Sequence, residues 1–222
     1  MKVAIDGPAG AGKSTISKAA AKRLGFVYID TGAMYRAIGL AAVRRGIDTK
    51  DAEGVESILN DIEVTISHNE EGQQIFLNGE NVSAEIRLPE ISVAASNVAV
   101  IPAVRLKLVE LQRALAEKEN VIMDGRDIGT YVLPDAEVKI FLVASVQERA
   151  KRRLKELLEK GVDTDLEAVK TDMEYRDKND SGRDFAPLKQ AEDSVLLDNT
   201  NITVEEAIER ICQLVEDQRG AQ

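Results

Sequence analysis

The stretch that decides the fold is KVAIDGPAGAGKST, residues 2–15. KVAID (2–6) is the short apolar run of a buried strand and ends at Gly7-Pro8. KSTISKAAAKRLG (13–25) has the Ala- and Lys-rich character of a helix that stops at Gly25. Between them GPAGAGKS (7–14) fits G-x-x-x-x-G-K-S. Glycines at these positions let backbone N–H groups turn inward around phosphate oxygens, and the helix N-terminus adds the positive end of its dipole. Lys13 is then placed to reach β- and γ-phosphates, and the Ser14 hydroxyl to hold Mg2+. A glycine-rich turn in an unrelated α/β protein is the competing reading, and it does not require both flanking elements. The loop points to a nucleoside triphosphate without saying what is done with it.

Outward from the loop, FVYID (26–30) predicts a second strand and TGAMYRAIGLAAVRRG a second helix ending at Gly46. Two strand–helix units in succession imply a parallel sheet with right-handed crossovers. The rhythm then breaks. EVTISH (63–68), a turn at NEEG, and QQIFLNGENVS with Asn78-Gly79 as a hairpin turn predict a small antiparallel insertion. Helical patterns follow at LPEISVAASNVAV and AVRLKLVELQRALAEKE, while NVIMDG (120–125) and VKIFLVA (138–144) read as buried strands. Two charged helices, SVQERAKRRLKELLEKG and DLEAVKTDMEYRDK, precede a last strand, VLLD (195–198). Thr203 and Glu206 form a capping box for the helix TVEEAIERICQLVED. The expected architecture is five parallel strands with two excursions off the core.

The 222 residues suffice for one well-packed domain. Lys+Arg 29 against Asp+Glu 39 gives a net charge of −10. That disfavours nucleic acid polymers and anionic membranes as partners, so an anionic ligand needs a local cluster of positive groups. One cysteine, Cys212, and one histidine, His68, supply neither an internal disulfide nor a four-ligand zinc site. His68, beside NEEG, reads as an exposed loop residue. The longest uncharged run, ISVAASNVAVIPAV, has 14 residues, short of the about 20 that a bilayer span needs. Asp6 interrupts the N-terminal apolar run before a leader core forms. The chain reads as a cytoplasmic protein.

Three classes of triphosphate-binding protein stay open at this point. A GTP-dependent switch should carry a D-x-x-G after its second strand motif and an N-K-x-D for guanine, and neither is found there. An ATPase motor sets a Glu beside its strand-borne acid, whereas here Asp124 is followed by Gly125. A small kinase needs a second site rich in positive groups. Thr31 and Arg36, in DTGAMYR, lie at the start of the second helix, where terminal amides attract an anion, with a surface arginine and a simple cap as the competing reading. Arg126 and Asp127, in GRDIG (125–129), follow a strand at the carboxyl edge of the sheet, where open α/β sheets bind ligands. Arg149, Lys151, Arg152 and Arg153 share one helix, with a solvated face paired to Glu148 and Glu156 as the competing reading. In YRDKNDSGRD (175–184), Arg176, Asp180 and Arg183 recur at i, i+4 and i+7, one face if the helix runs that far. Gly182 argues that it ends nearby.

In this order, GPAGAGKST, DTGAMYR, GRDIGTYVLPDAEVKIFLVAS, ERAKRR and RDKNDSGRDFAPL closely resemble the bacterial cytidylate kinase family, from residue 3 to about 200. GRDIG and RD-x-x-D-x-x-R are sharper marks of that family than the phosphate loop is. DNT (198–200) departs from an expected D-[ST]-[ST] at a strand end. The resemblance implies an α/β, P-loop nucleoside monophosphate kinase fold in a single domain over residues 1–222. Its parts would be a five-stranded parallel core with helices on both faces, an antiparallel monophosphate-binding insertion at about 60–100, and a helical lid at about 148–185. It implies a monomer that moves the γ-phosphoryl of ATP to CMP or dCMP with Mg2+. Gly7, Pro8, Ala9, Gly10, Ala11, Gly12, Lys13, Ser14 and Thr15 would hold the ATP phosphates. Ser96, Arg105 and Asp127 would surround cytosine, Thr31, Arg36, Arg126 and Arg183 would serve the acceptor phosphate, and Arg176 and Asp180 the sugar. Lys13, Arg126 and Arg183 would carry the catalytic charge, and Arg149, Arg152 and Arg153 would begin the lid. The other charges of the 175–184 stretch, Asp177, Lys178 and Asp184, read as solvated surface.

Overall fold

Strands buried on both faces build the centre of the computed structural model, which describes residues 1–70, 72–159 and 161–220. In chain order the elements are β1 (Lys2–Asp6), α1 (Lys13–Leu24), β2 (Val27–Asp30), α2 (Thr31–Arg44), α3 (Ala52–Ile58), β3 (Val64–Asn69), β4 (Gly72–Leu77) and β5 (Glu80–Asn81). There follow α4 (Pro89–Val98), α5 (Pro102–Ala116), β6 (Val121–Gly125), β7 (Val138–Val143), α6 (Val146–Glu159), α7 (Leu166–Gly182), β8 (Val195–Asp198) and α8 (Val204–Gly220). Five strands pair in parallel in the order β2-β6-β1-β7-β8. Val3, Ala4 and Ile5 of the central β1 are fully buried because helices cover both faces. One face packs on α2, α4 and α5 through Met34, Ile38, Val104 and Leu108, and the other on α1 and α8 through Ile16, Ile208 and Ile211. In-register pairing sets Asp6 beside Gly125 and Asp30 beside Asp124, so three carboxylates share one sheet edge.

The insertion forms a separate antiparallel sheet, β3-β4-β5. Asn78 (φ 50) and Gly79 (φ 82) both take the left-handed conformation that a tight hairpin needs. The hairpin covers the otherwise open edge of β2 with side chains. Gln73 Oε1 accepts from Asp30 N (2.8 Å) and its Nε2 donates to Asp30 O (3.1 Å), while His68 Nε2 lies 2.9 Å from Tyr28 O. His68 is exposed, but it lies on β3 and not in a loop. The NEEG turn and the end of the first charged helix include Glu71 and Lys160, which lie outside the described residues.

The sequence reading passes over α3, a seven-residue helix that buries only Val55 and Ile58 and so shows little periodicity. The capping box forms: Thr203 N donates to Glu206 Oε2 (2.7 Å) and Glu206 N to Thr203 Oγ1 (3.2 Å). Helices α6 and α7 pack on each other around Ala150, Leu157, Val169 and Met173. Among the described residues no single helix is long and apolar enough to cross a membrane, and α4 and α5, which reach that length together, are bent by 101°.

Candidate active site

The phosphate loop turns on glycines. A Cβ at Gly7 (φ +151) would lie 2.0 Å from Leu142 O, so only glycine lets the chain pass there. Gly12 (φ 87) precedes α1 with no side-chain cap, which leaves the first amides of that helix open to an external anion. Gly10, Ala11, Gly12, Lys13, Ser14 and Thr15 line a cavity, together with Arg152, Arg153 and Asp124. Gly7, Pro8 and Ala9, expected to hold phosphate as well, do not line it. Lys13 Nζ donates to Gly7 O and Pro8 O, both at 2.7 Å. Burial, and then the Arg126 charge, hold its pKa well below the ordinary lysine value. Ser14 Oγ donates to Asp124 Oδ2 (2.9 Å). Burial and the neighbouring Asp30 raise the Asp124 carboxyl to about 7.

A second cavity collects Thr31, Arg36, Ser96, Arg105, Arg126, Asp127, Arg176, Asp180 and Arg183. They come from α2, α4, α5, the end of β6 and the end of α7, elements spread over residues 31–183 of the chain. Arg105, 1% exposed, donates to Asp127 Oδ2 (2.5 Å) and Ala99 O (3.2 Å), and its guanidinium lies 5.4 Å from the centre of the Tyr35 ring. Its Nε is buried without a partner. Tyr35 lines the cavity too; only its place in DTGAMYR hinted at this. Arg126 Nε donates to Asp180 Oδ2 (2.7 Å). Burial alone would raise the Asp180 carboxyl, but Arg126 and Arg183 hold it below its ordinary value. Arg176 is the least compensated of these cations. Its Nε is buried without a partner, and burial with Arg126 and Arg36 nearby lowers it to about 10.

Several expectations change in three dimensions. Helix α7 stops at Gly182, and Arg183 is extended (φ −74, ψ 143), so the single helical face ends one residue short of it. Arg183 donates to Ala186 O (2.7 Å) and Asp127 Oδ1 (3.4 Å) and is absent from the phosphate-loop cavity. It stands beside the Arg105–Asp127 pair in the same cavity as Thr31, Arg36 and Arg126. Arg176 reaches the lining of both cavities, beyond the sugar contact expected of it.

The start of α2 is partly capped from within, because Asp30 Oδ1 accepts from Ala33 N (3.0 Å). Asp30 also meets Arg87 at 3.0 Å and Arg36 at 3.9 Å. Thr31 Oγ1 donates its one proton to Asp124 O (2.7 Å), leaving only lone pairs toward the cavity. On α6, Arg152 and Arg153 face the phosphate-loop cavity, but Arg149, 3% exposed, lines neither cavity. It donates to Ala9 O (2.7 Å), Ala144 O (3.1 Å) and Asp177 Oδ2 (2.7 Å). Asp177 is therefore no solvated surface charge, and it also accepts from Ala9 N (3.2 Å). Lys178 and Asp184 are exposed as expected.

Two residues escaped the sequence reading. Asp6 accepts from Ile128 N and Gly129 N, both at 2.8 Å, and so ties β1 to the GRDIG segment. Burial raises it to about 6 against the pull of those two bonds. Its signal was a carboxylate ending an apolar strand. Asn199, 2% exposed, donates to Ala11 O (2.7 Å) and accepts from Arg152 Nη1 (3.0 Å). It is the middle residue of DNT, where the sequence leaves the family pattern.

The two cavities share a wall of Gly32, Arg36, Ser92, Gly125, Arg126 and Arg176. Two anionic groups entering from the two sides would meet there among guanidinium groups.

The family model for cytidylate kinase matches residues 3–217. The cytidylate kinase of Caldicellulosiruptor saccharolyticus is 50% identical over 214 residues, covering 96% of this chain and 95% of that protein. That of a Geobacillus species is 50% identical over 220 residues, 99% and 98% of the two chains. That of Bacillus cereus is 49% identical over 215 residues, 97% and 96%. Among solved structures, an uncharacterized protein from Eubacterium ventriosum superposes with a TM-score of 0.54 at 13% identity, over 97% and 98% of the chains, a likeness of fold alone. With the family model spanning nearly all of its length and half-identical relatives covered end to end, this chain belongs to the cytidylate kinase family.

Proposed function

We propose that the protein transfers the γ-phosphoryl group of ATP to CMP or dCMP, giving ADP and CDP or dCDP. The observation that carries the reading is the shared wall. It opens the phosphate-loop cavity directly onto a second cavity that holds a buried Arg105–Asp127 pair. In this reading residues at about 60–100 form the acceptor lobe and those at about 148–185 the lid.

Phosphoryl transfer needs positioning and charge stabilisation more than covalent help from the protein. An acceptor phosphate oxygen, ionised at neutral pH, forms the new bond to Pγ while the bond from Pγ to the bridging oxygen of ADP breaks. No general base is required, and none is assigned. Lys13 leaves its two carbonyl partners for the β- and γ-phosphates, where a nearby anion restores the charge that burial disfavours. Arg36, Arg126 and Arg176 line both cavities and neutralise oxygens that repel each other on approach. Arg183 steadies Asp127 at the base end.

Base choice follows from polarity. The Asp127 carboxylate has about four lone-pair positions and uses two of them on Arg105 and Arg183. It can still accept from the N4 amino group of cytosine, and it repels the O4 of uracil. Leaving such a buried group unpaired makes rejection strong.

The residues fit Mg2+ held chiefly by phosphate oxygens. Ser14 Oγ and Asp124 Oδ2 lie 2.9 Å apart, as hard oxygen donors beside the loop. No cluster of three or more acidic, His or Cys side chains among the described residues could hold an ion alone. The ion, when bound, offsets charge on the β- and γ-phosphates. The reading extends to a cytoplasmic monomer, supported by the −10 charge, the single free Cys212, and two cavities built from one chain. A coupled assay of ADP release from MgATP tests it, with CMP, dCMP, UMP or no acceptor. Release that ignores CMP, or that is equal with UMP, would sink the proposal.

A further inference from the structure

Helix α7 borders both cavities along one broad face, on which Met173, Arg176, Asp177 and Asp180 recur at i, i+3, i+4 and i+7. Arg176 and Asp180, one turn apart, line the acceptor cavity. On the same side α7 is pinned to α4: Tyr175 OH donates to Asn97 Oδ1 (2.8 Å) and Asn179 Nδ2 to Ser96 Oγ (3.3 Å). Asn97 in turn donates to Thr49 Oγ1 (2.8 Å), which ties the seat of α7 into the loop before α3.

Met173 and Asp177, also one turn apart, face the phosphate loop. A Cβ at Gly10 would lie 2.6 Å from Met173 Cε, so the side chain rests directly on that glycine. Asp177 accepts from Ala9 N, and the Arg149 that it pairs with donates to Ala9 O. Both polar groups of the Ala9 residue are thus held by the lid helices, next to the glycine that begins the cavity lining. Ala9 itself does not line the cavity, so Asp177 holds the loop from outside and leaves its phosphate face open.

We propose that Asp177 is a positioning residue that makes the set of the phosphate loop depend on how α7 is seated against the acceptor lobe. CMP filling the acceptor cavity engages Arg176 and Asp180, fixes α7, and through Asp177 and Arg149 fixes the Ala9–Gly10 turn before ATP arrives. The two ligands then favour each other, and by linkage each improves the other's affinity by the same factor. A carboxylate is suited to this link. It accepts from a backbone N–H and from a buried guanidinium together, which neither Asn nor a hydroxyl can match. This inference rests on the functional reading of the two cavities given above.

The test is a set of binding titrations of the full chain, with Mg2+, using β,γ-methylene-ATP with and without saturating CMP. In the wild type, CMP is expected to tighten the analogue by at least fivefold, within the range of about 5–150-fold typical of coupled sites. In Asp177→Ala the factor is expected to fall to within twofold of one. A factor that stays above that, or a wild type that itself shows no coupling, overturns the inference. A wild type that binds neither CMP nor the analogue overturns the kinase reading instead, so the two failures are distinct. Asp177→Asn guards against loss of folding, since it keeps one oxygen for Ala9 N and removes only the charge facing Arg149. Its factor is expected to lie between those of the wild type and the alanine variant. A shift in its melting temperature with the wild-type factor intact would show a merely structural role and overturn the proposal.

Discussion

Helices α1 and α2 both begin at the carboxyl edge of the same sheet, and they begin in opposite ways. Gly12 leads into α1 with no side chain over the terminal amides, whereas Asp30 leads into α2 with its carboxylate on Ala33 N. One terminus carries no side-chain cap, and the other has one of its first amides taken by an internal carboxylate. The consequence is a division of labour. In the proposed reading the donor side offers backbone amides and Lys13 to phosphate. The proposed acceptor side, with the Ala33 amide already capped, offers guanidinium groups carried by α2, the β6 edge and α7. A helix N-terminus is thus a site only where no neighbouring side chain caps it first.

Lys13→Ala should break the donor half most severely. A loss of about 10²–10³-fold in kcat is expected with an unchanged circular dichroism spectrum, and full activity would end the loop's assigned role. Next in size is the joint between the halves at Asp6. Its folded pKa of about 6 lies above its unfolded value. The native state therefore binds the proton more tightly, and this group's stabilisation is complete below about pH 4 and lost as pH rises through about 6. The effect is on the order of 3 kcal/mol. Asp6→Asn should remove that component, so urea titrations at pH 4.5 and 7.5 should differ less in the variant than in the wild type. At pH 7.5, where Asp6 is ionised, the variant should also lose one of the two bonds to Ile128 N and Gly129 N, because an amide has only one oxygen.

Asp127→Ala tests the acceptor half. The ratio of kcat/KM for CMP over UMP should fall by about 10–100-fold, the worth of one good base contact, and an unchanged ratio would remove Asp127 from base choice. The smallest effect is the most direct test of the contrast itself. Asp30→Ala should cost about 1 kcal/mol of stability through the lost cap. If α2 were already open to anions, thermal unfolding of that variant would match the wild type.

Legibility in the sequence followed chain distance. The phosphate loop, both glycine-ended helices, the Asn78-Gly79 turn and the Thr203–Glu206 box were readable because each depends on residues within a few positions of one another. The strands were readable because burial on both faces leaves a continuous apolar run. Short α3, with two buried residues, left no such trace. The acceptor cavity was readable only through whole-chain resemblance, since its walls come from elements separated by up to about 150 positions.

Sequence alone determined that this chain folds as a parallel α/β domain with an open phosphate loop, because backbone conformation and strand burial are written locally. Tertiary structure decided which charges have partners. Asp177 pairs with Arg149 and the Ala9 amide, Arg149 holds the Ala9 carbonyl behind the loop, Arg183 pairs with Asp127, and Asp30 caps the Ala33 amide at the start of α2. Charge pairing depends on distance and desolvation, and both are fixed only when remote segments meet.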